Sequence, residues 1–276
     1  NIKFKLLNQP ISTKEYDLVV TTGRRCMEFL SDIESVKHMH LIQHLEVWGS
    51  FNSDDFMELS QTKGYASSLE TVDFVRHFEC PEELAYITRL KKIKSFSTVS
   101  NYLRRIITEL NASANVEVHE PPEISYPVRK YSKEIFEKTK DYDLLFLIRG
   151  LKFKGDKLIE KIIEALIEKD LEIRIAVVLS GKAVALKSLD SRVTYIKKPT
   201  DLKMADIFSR SKVLVNPSLT EGYGAVPREA MLYGCKCITS NTGWIQDYNG
   251  KNQDLVIVHK HSKDLYLKEI YKILNV

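Results

Sequence analysis

Two glutamates, Glu221 and Glu229, bracket a glycine-bearing stretch, Gly222-Tyr223-Gly224-Ala225-Val226. Two cations, Arg149 and Lys154, sit in a second short stretch, Arg149-Gly-Leu-Lys-Phe-Lys154-Gly. A guanidinium fork and an ammonium neutralise phosphate oxygens, whereas carboxylates repel them and accept hydrogen bonds from vicinal hydroxyls. A ligand with a sugar on each side of a diphosphate satisfies all four groups. The local pattern agrees. An apolar run, Val213-Leu-Val215, stops at Asn216-Pro-Ser, a glycine loop follows, and a short helix runs to Gly234. Strand, loop and helix start in that order aim backbone N–H groups and the positive end of a helix dipole at one point, which suits phosphate. Pro227 fits the first helical position and Gly234 the residue past the last. Glu229 then falls third in the helix, where simple capping is the alternative to ligand binding.

The elements that must hold these residues follow an alternating pattern. Strands are expected over Leu144–Ile148, Ile173–Leu179, Val193–Ile196, Val213–Val215, Lys236–Thr239 and Leu255–Val258. Helices are expected between them, over about 155–169, 182–189, 201–209 and 226–233, with a last one from about 264. In Lys157-Leu-Ile-Glu-Lys-Ile-Ile-Glu-Ala-Leu-Ile the apolar residues recur at helical spacing with charges opposite. Such alternation makes a parallel sheet with helices on both faces.

The run Glu-Gly-Tyr-Gly-x-Val-x-x-Glu-Ala-Met, with seven residues between Glu221 and Glu229, resembles the E-x7-E motif of retaining GT-B glycosyltransferases, in particular family 4. The resemblance implies two Rossmann-like, doubly wound α/β domains that close on each other. It places Glu229 on the nucleotide ribose, Glu221 against the donor sugar, and Gly222 to Val226 over the diphosphate. Arg149 and Lys154 resemble the family's paired cations that neutralise the departing diphosphate. The implied reaction is metal-independent, needs no cofactor beyond the nucleotide-diphosphate sugar as substrate, and proceeds by front-face attack of the acceptor hydroxyl. Two features depart from the family pattern: Gly234-Cys-Lys-Cys-Ile lacks the usual proline, and Thr242-Gly243 stands where paired glycines are usual.

The first half carries less chemistry. Tyr16–Thr22, His40–Glu46 and Ser95–Ser100 read as buried strands. Helices are expected over Cys26–Phe29, from Pro81 to just before Lys91, and from a cap at Asn101 to Leu110, with mixed helical stretches across 52–79. The polar end of the second strand is where open α/β sheets bind ligands. By the resemblance, His44 there faces the reacting centre with Glu46 as its rival, and Gln43-His-Leu-Glu46 is similar to a rhamnosyltransferase branch. Three prolines in Glu120-Pro-Pro-Glu-Ile-Ser-Tyr-Pro127 break the alternation. The expected division is therefore an acceptor-side domain over 1–120, a linker over 121–140 containing the charged run Lys130–Lys140, and a donor domain over 141–276. No glycine-rich loop precedes Tyr16, so the N-terminal domain is expected to be incomplete, lacking its first βαβ unit.

Composition bounds the rest. The chain has 276 residues, 43% hydrophobic and 28% charged, with 41 Lys and Arg against 37 acidic residues. A formal charge of +4 does not by itself point to nucleic acid. No apolar run approaches the roughly 20 residues that span a bilayer, and the opening Asn-Ile-Lys-Phe-Lys does not read as a secretory leader. Cys26, Cys80, Cys235 and Cys237 lack disulfide or zinc spacing and read as buried small hydrophobes of a reducing compartment. The expectation is a cytoplasmic hexosyl- or deoxyhexosyl-transferase of cell-surface polysaccharide synthesis with a glycan or lipid-linked acceptor. The basic clusters Arg89–Lys94 and Arg104-Arg105 offer peripheral contact with the inner face of the cell membrane. A nucleotide-sugar epimerase of the same fold and a non-catalytic nucleotide-sugar-binding scaffold are the alternatives. Turnover without acceptor marks the first, and binding without turnover the second.

Overall fold

A computed structural model describes residues 18–28, 38–121, 139–169, 171–183, 190–250 and 252–276. The chain divides into two compact units, Asn1–Ser50 with Ser67–Glu120, and Phe51–Ala66 with Pro121–Val276. The start of the expected first strand, most of the Lys130–Lys140 run, and most of the expected helix over 182–189 lie outside the described residues.

The first unit holds a parallel sheet ordered β1-β2-β3-β4, from Val19–Thr22, His38–Ile42, Ser95–Thr98 and Asn115–Val118. Its helices are α1 (Arg24–Glu28), α4 (Ser68–His77), α5 (Pro81–Leu90) and α6 (Asn101–Leu110), with α2 (Trp48–Asn52) crossing into the second unit. On α6 the residues Tyr102, Leu103, Ile106, Ile107 and Leu110 are buried, one face of a 3.6-residue repeat. Its cap is Ser100, whose hydroxyl accepts from the Leu103 N–H, rather than the expected Asn101. The expected second strand stops at Ile42, because the chain bends at Gln43-His44 while Leu45 and Val47 stay buried without joining the sheet. Buried apolar residues there report core contact, not ladder hydrogen bonds.

The second unit holds a six-stranded parallel sheet ordered β10-β9-β8-β5-β6-β7. Its strands are β5 (Tyr142–Ile148), β6 (Ile175–Leu179), β7 (Val193–Lys197), β8 (Ser211–Asn216), β9 (Lys236–Ser240) and β10 (Leu255–Val258). Side chains alternate along each strand, so both faces of the sheet need cover. Leu144, Phe146 and Ile148 pack with α7 (Asp156–Glu168) and α10 (Lys263–Leu274). Leu145, Ala176, Val178 and Leu214 pack with α8 (Asp201–Ser209) and α9 (Ala225–Leu232). Ile162 and Ile163 are fully buried, and each such side chain stabilises the fold by roughly 1.5–3 kcal/mol. Residues Phe51–Ala66, with α3 (Asp54–Thr62), pack on this unit; the Tyr65 and Tyr266 hydroxyls meet at 2.8 Å.

Cys235 and Cys237 are buried, as expected, whereas Cys26 and Cys80 are only partly so. Burial pushes the Cys235 thiol up to about 12 and also raises the Cys237 thiol well above its ordinary value, so neither is a thiolate nucleophile near neutrality.

Candidate functional site

The strand order of the second unit reverses between β5 and β8, which are directly paired, Phe146 opposite Val215. Loops leaving such neighbours diverge and open a crevice at their C-terminal ends. The loop after β5 carries Arg149 and Lys154; the loop after β8 carries Glu221 and the glycines.

Asp156 shapes the first loop. Its carboxylate accepts from the backbone N–H groups of Arg149 (3.2 Å), Gly150 (2.6 Å) and Leu151 (2.9 Å). Burial raises its pKa above the ordinary carboxylate value, against those three hydrogen bonds and the nearby Arg149 charge, which lower it. A single 3-10 turn, Lys152–Lys154, then ends at Gly155, with φ of 80°. A Cβ at Gly155 would collide with the Pro217 carbonyl, so glycine is required by both conformation and space. The Leu219 N–H donates to the Phe153 carbonyl at 2.8 Å, tying the two loops together. Phe153 is buried, and its N–H meets the Asn52 side chain at 3.3 Å.

Held in this way, Lys154 donates to Glu221 at 2.7 Å, with side chains only 13% and 15% exposed. The Arg149 guanidinium is half-buried and has no hydrogen bond or ion pair among the described residues. It is a presented cation.

The second loop is pinned from the opposite side. Gly243, φ 60°, lies so close to the Tyr223 carbonyl that a Cβ would collide with it. The Trp244 N–H donates to that same carbonyl at 2.9 Å, and the Trp244 indole donates to the Gly224 carbonyl at 2.9 Å. Arg228 donates to the Tyr223 hydroxyl and lies over the Tyr223 and Trp244 rings. Helix α9 starts at Ala225 behind Gly224 (φ 93°), with no side-chain cap. Pro227 is therefore third in the helix rather than first; the N–H it lacks has no intrahelical partner at either place. Glu229 moves to the second turn, out of reach of a capping box. The Tyr233 phenol is raised above its ordinary value by burial and then by the Glu229 charge.

The structure thus brings Arg149, Lys154, Glu221, Gly222, Tyr223, Gly224, Ala225, Val226 and Glu229 onto the crevice loops and helix of one unit. His44 belongs to the other unit, in the bend after β2, with its Nδ1 3.0 Å from the Leu45 carbonyl and its ring 4.8 Å from that of Trp48. Its rival Glu46 is committed to structure, accepting from the Arg24 N–H at 2.6 Å at the start of α1. Sequence reasoning missed Asp156, Arg228, Gly243 and Trp244. Only Gly243 left a signal, as the single glycine where the family has a pair. Chemically, the crevice can neutralise an anion through two cations and an uncapped helix start, and can accept hydroxyl hydrogen bonds on either side. Among the described residues, no group of three or more His, Cys, Asp or Glu could hold a metal ion. No helix among them is long and apolar enough to cross a membrane.

Two Rossmann-like units with parallel sheets of this kind make a GT-B glycosyltransferase fold. The chain belongs to the family described as glycosyl transferases group 1, whose profile matches residues 128–276. No curated protein matches the sequence. Solved structures with the same fold include a sucrose-phosphate synthase from Thermosynechococcus elongatus, 18% identical with a TM-score of 0.63, covering 95% of this chain and 65% of that one. TarM from S. aureus, in a complex with UDP, is 14% identical with a TM-score of 0.63, covering 93% of this chain and 48% of that one. HepE from Anabaena, in complex with UDP and glucose, is 12% identical with a TM-score of 0.59, covering 94% and 68%. The chain therefore spans about half to two thirds of the length of these proteins.

Proposed function

We propose that this protein is a retaining, metal-independent family-4 glycosyltransferase that moves a hexose or deoxyhexose from a nucleotide-diphosphate donor to a glycan or lipid-linked acceptor. The observation that carries the reading is the pairing of the presented Arg149 with the Lys154–Glu221 contact at the β5/β8 crevice. Diphosphate charge falls between cations, and sugar hydroxyls meet carboxylates. Structures of the same fold hold UDP with glucose, and another, trehalose-6-phosphate synthase, is described as transferring with retention. The acceptor hydroxyl attacks the anomeric carbon on the face the diphosphate leaves. The protein's part is positioning, together with stabilisation of the leaving charge by Arg149, Lys154 and the N–H groups opening α9. Glu229 takes the ribose and Glu221 the donor sugar; His44 and the rhamnosyltransferase branch belong to the same reading, as does peripheral membrane contact through Arg89–Lys94 in polysaccharide assembly.

Calorimetric titration of nucleoside diphosphate and of nucleoside alone tests it. Arg149→Ala and Lys154→Ala should each weaken the diphosphate and leave the nucleoside unchanged. Equal losses for both ligands would defeat the diphosphate assignment. Transfer that stops on adding EDTA would defeat metal independence.

A further inference from the structure

The second unit has a recess of about 410 Å³ between α3, the start of α7 and the start of α10. Lys157, Lys161 and Lys263 line it, and no carboxylate does. None of the three lysines makes an ion pair or hydrogen bond with another described residue. Their placement runs against what the helices alone prefer. Lys157 and Lys161 are like charges four residues apart on one helix face, and Lys263 is a cation at the positive end of α10. Ser262 caps α10 without a side-chain hydrogen bond, so its first-turn N–H groups lack that partner.

A second observation points the same way. His261, only 6% exposed, also lines the recess, and neither ring nitrogen makes a hydrogen bond among the described residues. Its Nδ1 is fully buried without a partner. Buried polar groups ordinarily find one, and a group that does not is a point where water, an ion or a ligand can supply it. Burial, and then the Lys161 charge, lower its pKa to about 4, so near neutrality the ring is uncharged, with one N–H to donate and one nitrogen to accept. Gln61 and Ser262 add an amide and a hydroxyl, and Met57 and Leu158 a small apolar face.

We propose that this recess is a second, anion-binding site that takes a phosphomonoester of sugar size. The lysines and the start of α10 hold the phosphate, while His261, Gln61 and Ser262 bind hydroxyls of the body. The volume falls within the range of small-ligand pockets, roughly 300–1,000 Å³. The inference does not rest on the donor reading, and the two fail separately.

The test is calorimetric titration of the whole chain with glucose 6-phosphate, glucose and inorganic phosphate. Glucose 6-phosphate should bind at least tenfold tighter than glucose. The double variant Lys157→Gln/Lys161→Gln should weaken it at least tenfold, and Lys263→Gln by a smaller factor. Arg149→Ala should leave it within twofold. An unchanged titration in the double variant, or a loss confined to Arg149→Ala, overturns the site. Co-sedimentation with phosphatidylglycerol vesicles that the double variant abolishes, without glucose 6-phosphate binding, overturns the soluble ligand in favour of a lipid headgroup.

Discussion

The two sheets of this protein are built by the same rule and put their polar residues to different uses. In the first unit, described strands run in sequence order from β1 to β4; in the second, the order reverses at β5 and β8. Both units use acidic side chains to bind backbone N–H groups: Glu46 at Arg24 and Glu83 at Gly49 and Ser50, in the first turns of helices, and Asp156 at three consecutive N–H groups of a loop. In the first unit that role absorbs the carboxylates at the strand ends. The buried imidazoles there are also engaged, with the Thr21 hydroxyl 2.7 Å from His38 and 2.6 Å from His40. In the second unit the carboxylate is buried beneath the loop, so Arg149 is carried on it and presented. A reversal in strand order supplies the space, and a buried carboxylate supplies the orientation.

The largest effect that would break this comparison is on stability. Asp156→Ala removes one acceptor from three N–H groups and should cost about 3–5 kcal/mol in urea unfolding, whereas Glu46→Ala should cost about 1–2 kcal/mol. Equal costs would deny Asp156 its distinct role. Next comes transfer: Lys154→Ala should lower kcat/KM by roughly 10²–10³-fold, about 2.7–4 kcal/mol, and Glu46→Gln should leave it nearly unchanged. A large loss with Glu46→Gln would restore that residue to the chemistry.

The pH dependence of each unit follows from a buried histidine. Burial, then the His38 charge, hold His40 at about 4, and His261 lies at about 4 for the reason already given, against an ordinary value of 6.5. The unfolded chain binds more protons than the folded one between those values. Stability is thus fully present above pH 6.5, falls as pH drops toward 4, and levels off below. Each histidine should cost on the order of 2 kcal/mol by pH 5. His40→Gln should flatten the pH slope of the first unit only, and His261→Gln that of the second only; a slope unmoved by either variant would rule the histidines out as its source. The smallest effect is at the ribose position. Glu229→Ala should weaken nucleotide by about 1–3 kcal/mol, and calorimetry showing no change would remove it from that role.

The second sheet was readable because strands buried on both faces are near-continuous apolar runs; Leu255–Val258 and Asp201–Ser209 agree with expectation residue for residue. Asn115–Val118 was missed because it lies at the end of its sheet, half exposed, and offers only two valines to the core. The charged and glycine residues of the crevice could be read from type and spacing. The parts that hold them could not. Trp244 reaches Gly224 across 20 residues and Asn52 reaches Phe153 across 101, and such contacts leave no local periodicity.

The Lys154–Glu221 contact makes the crevice partly self-neutral. Under the donor reading, a nucleotide sugar arrives by partner exchange: the ammonium trades a carboxylate for phosphate, and the carboxylate trades an ammonium for hydroxyls. The tally of charge-assisted bonds changes little, so recognition turns on whether both replacements come on one molecule. A bare anion replaces only the lysine's side of the contact, and a neutral sugar only the glutamate's. The crevice thus rejects half-matched ligands by making each of them break a contact that it cannot fully replace.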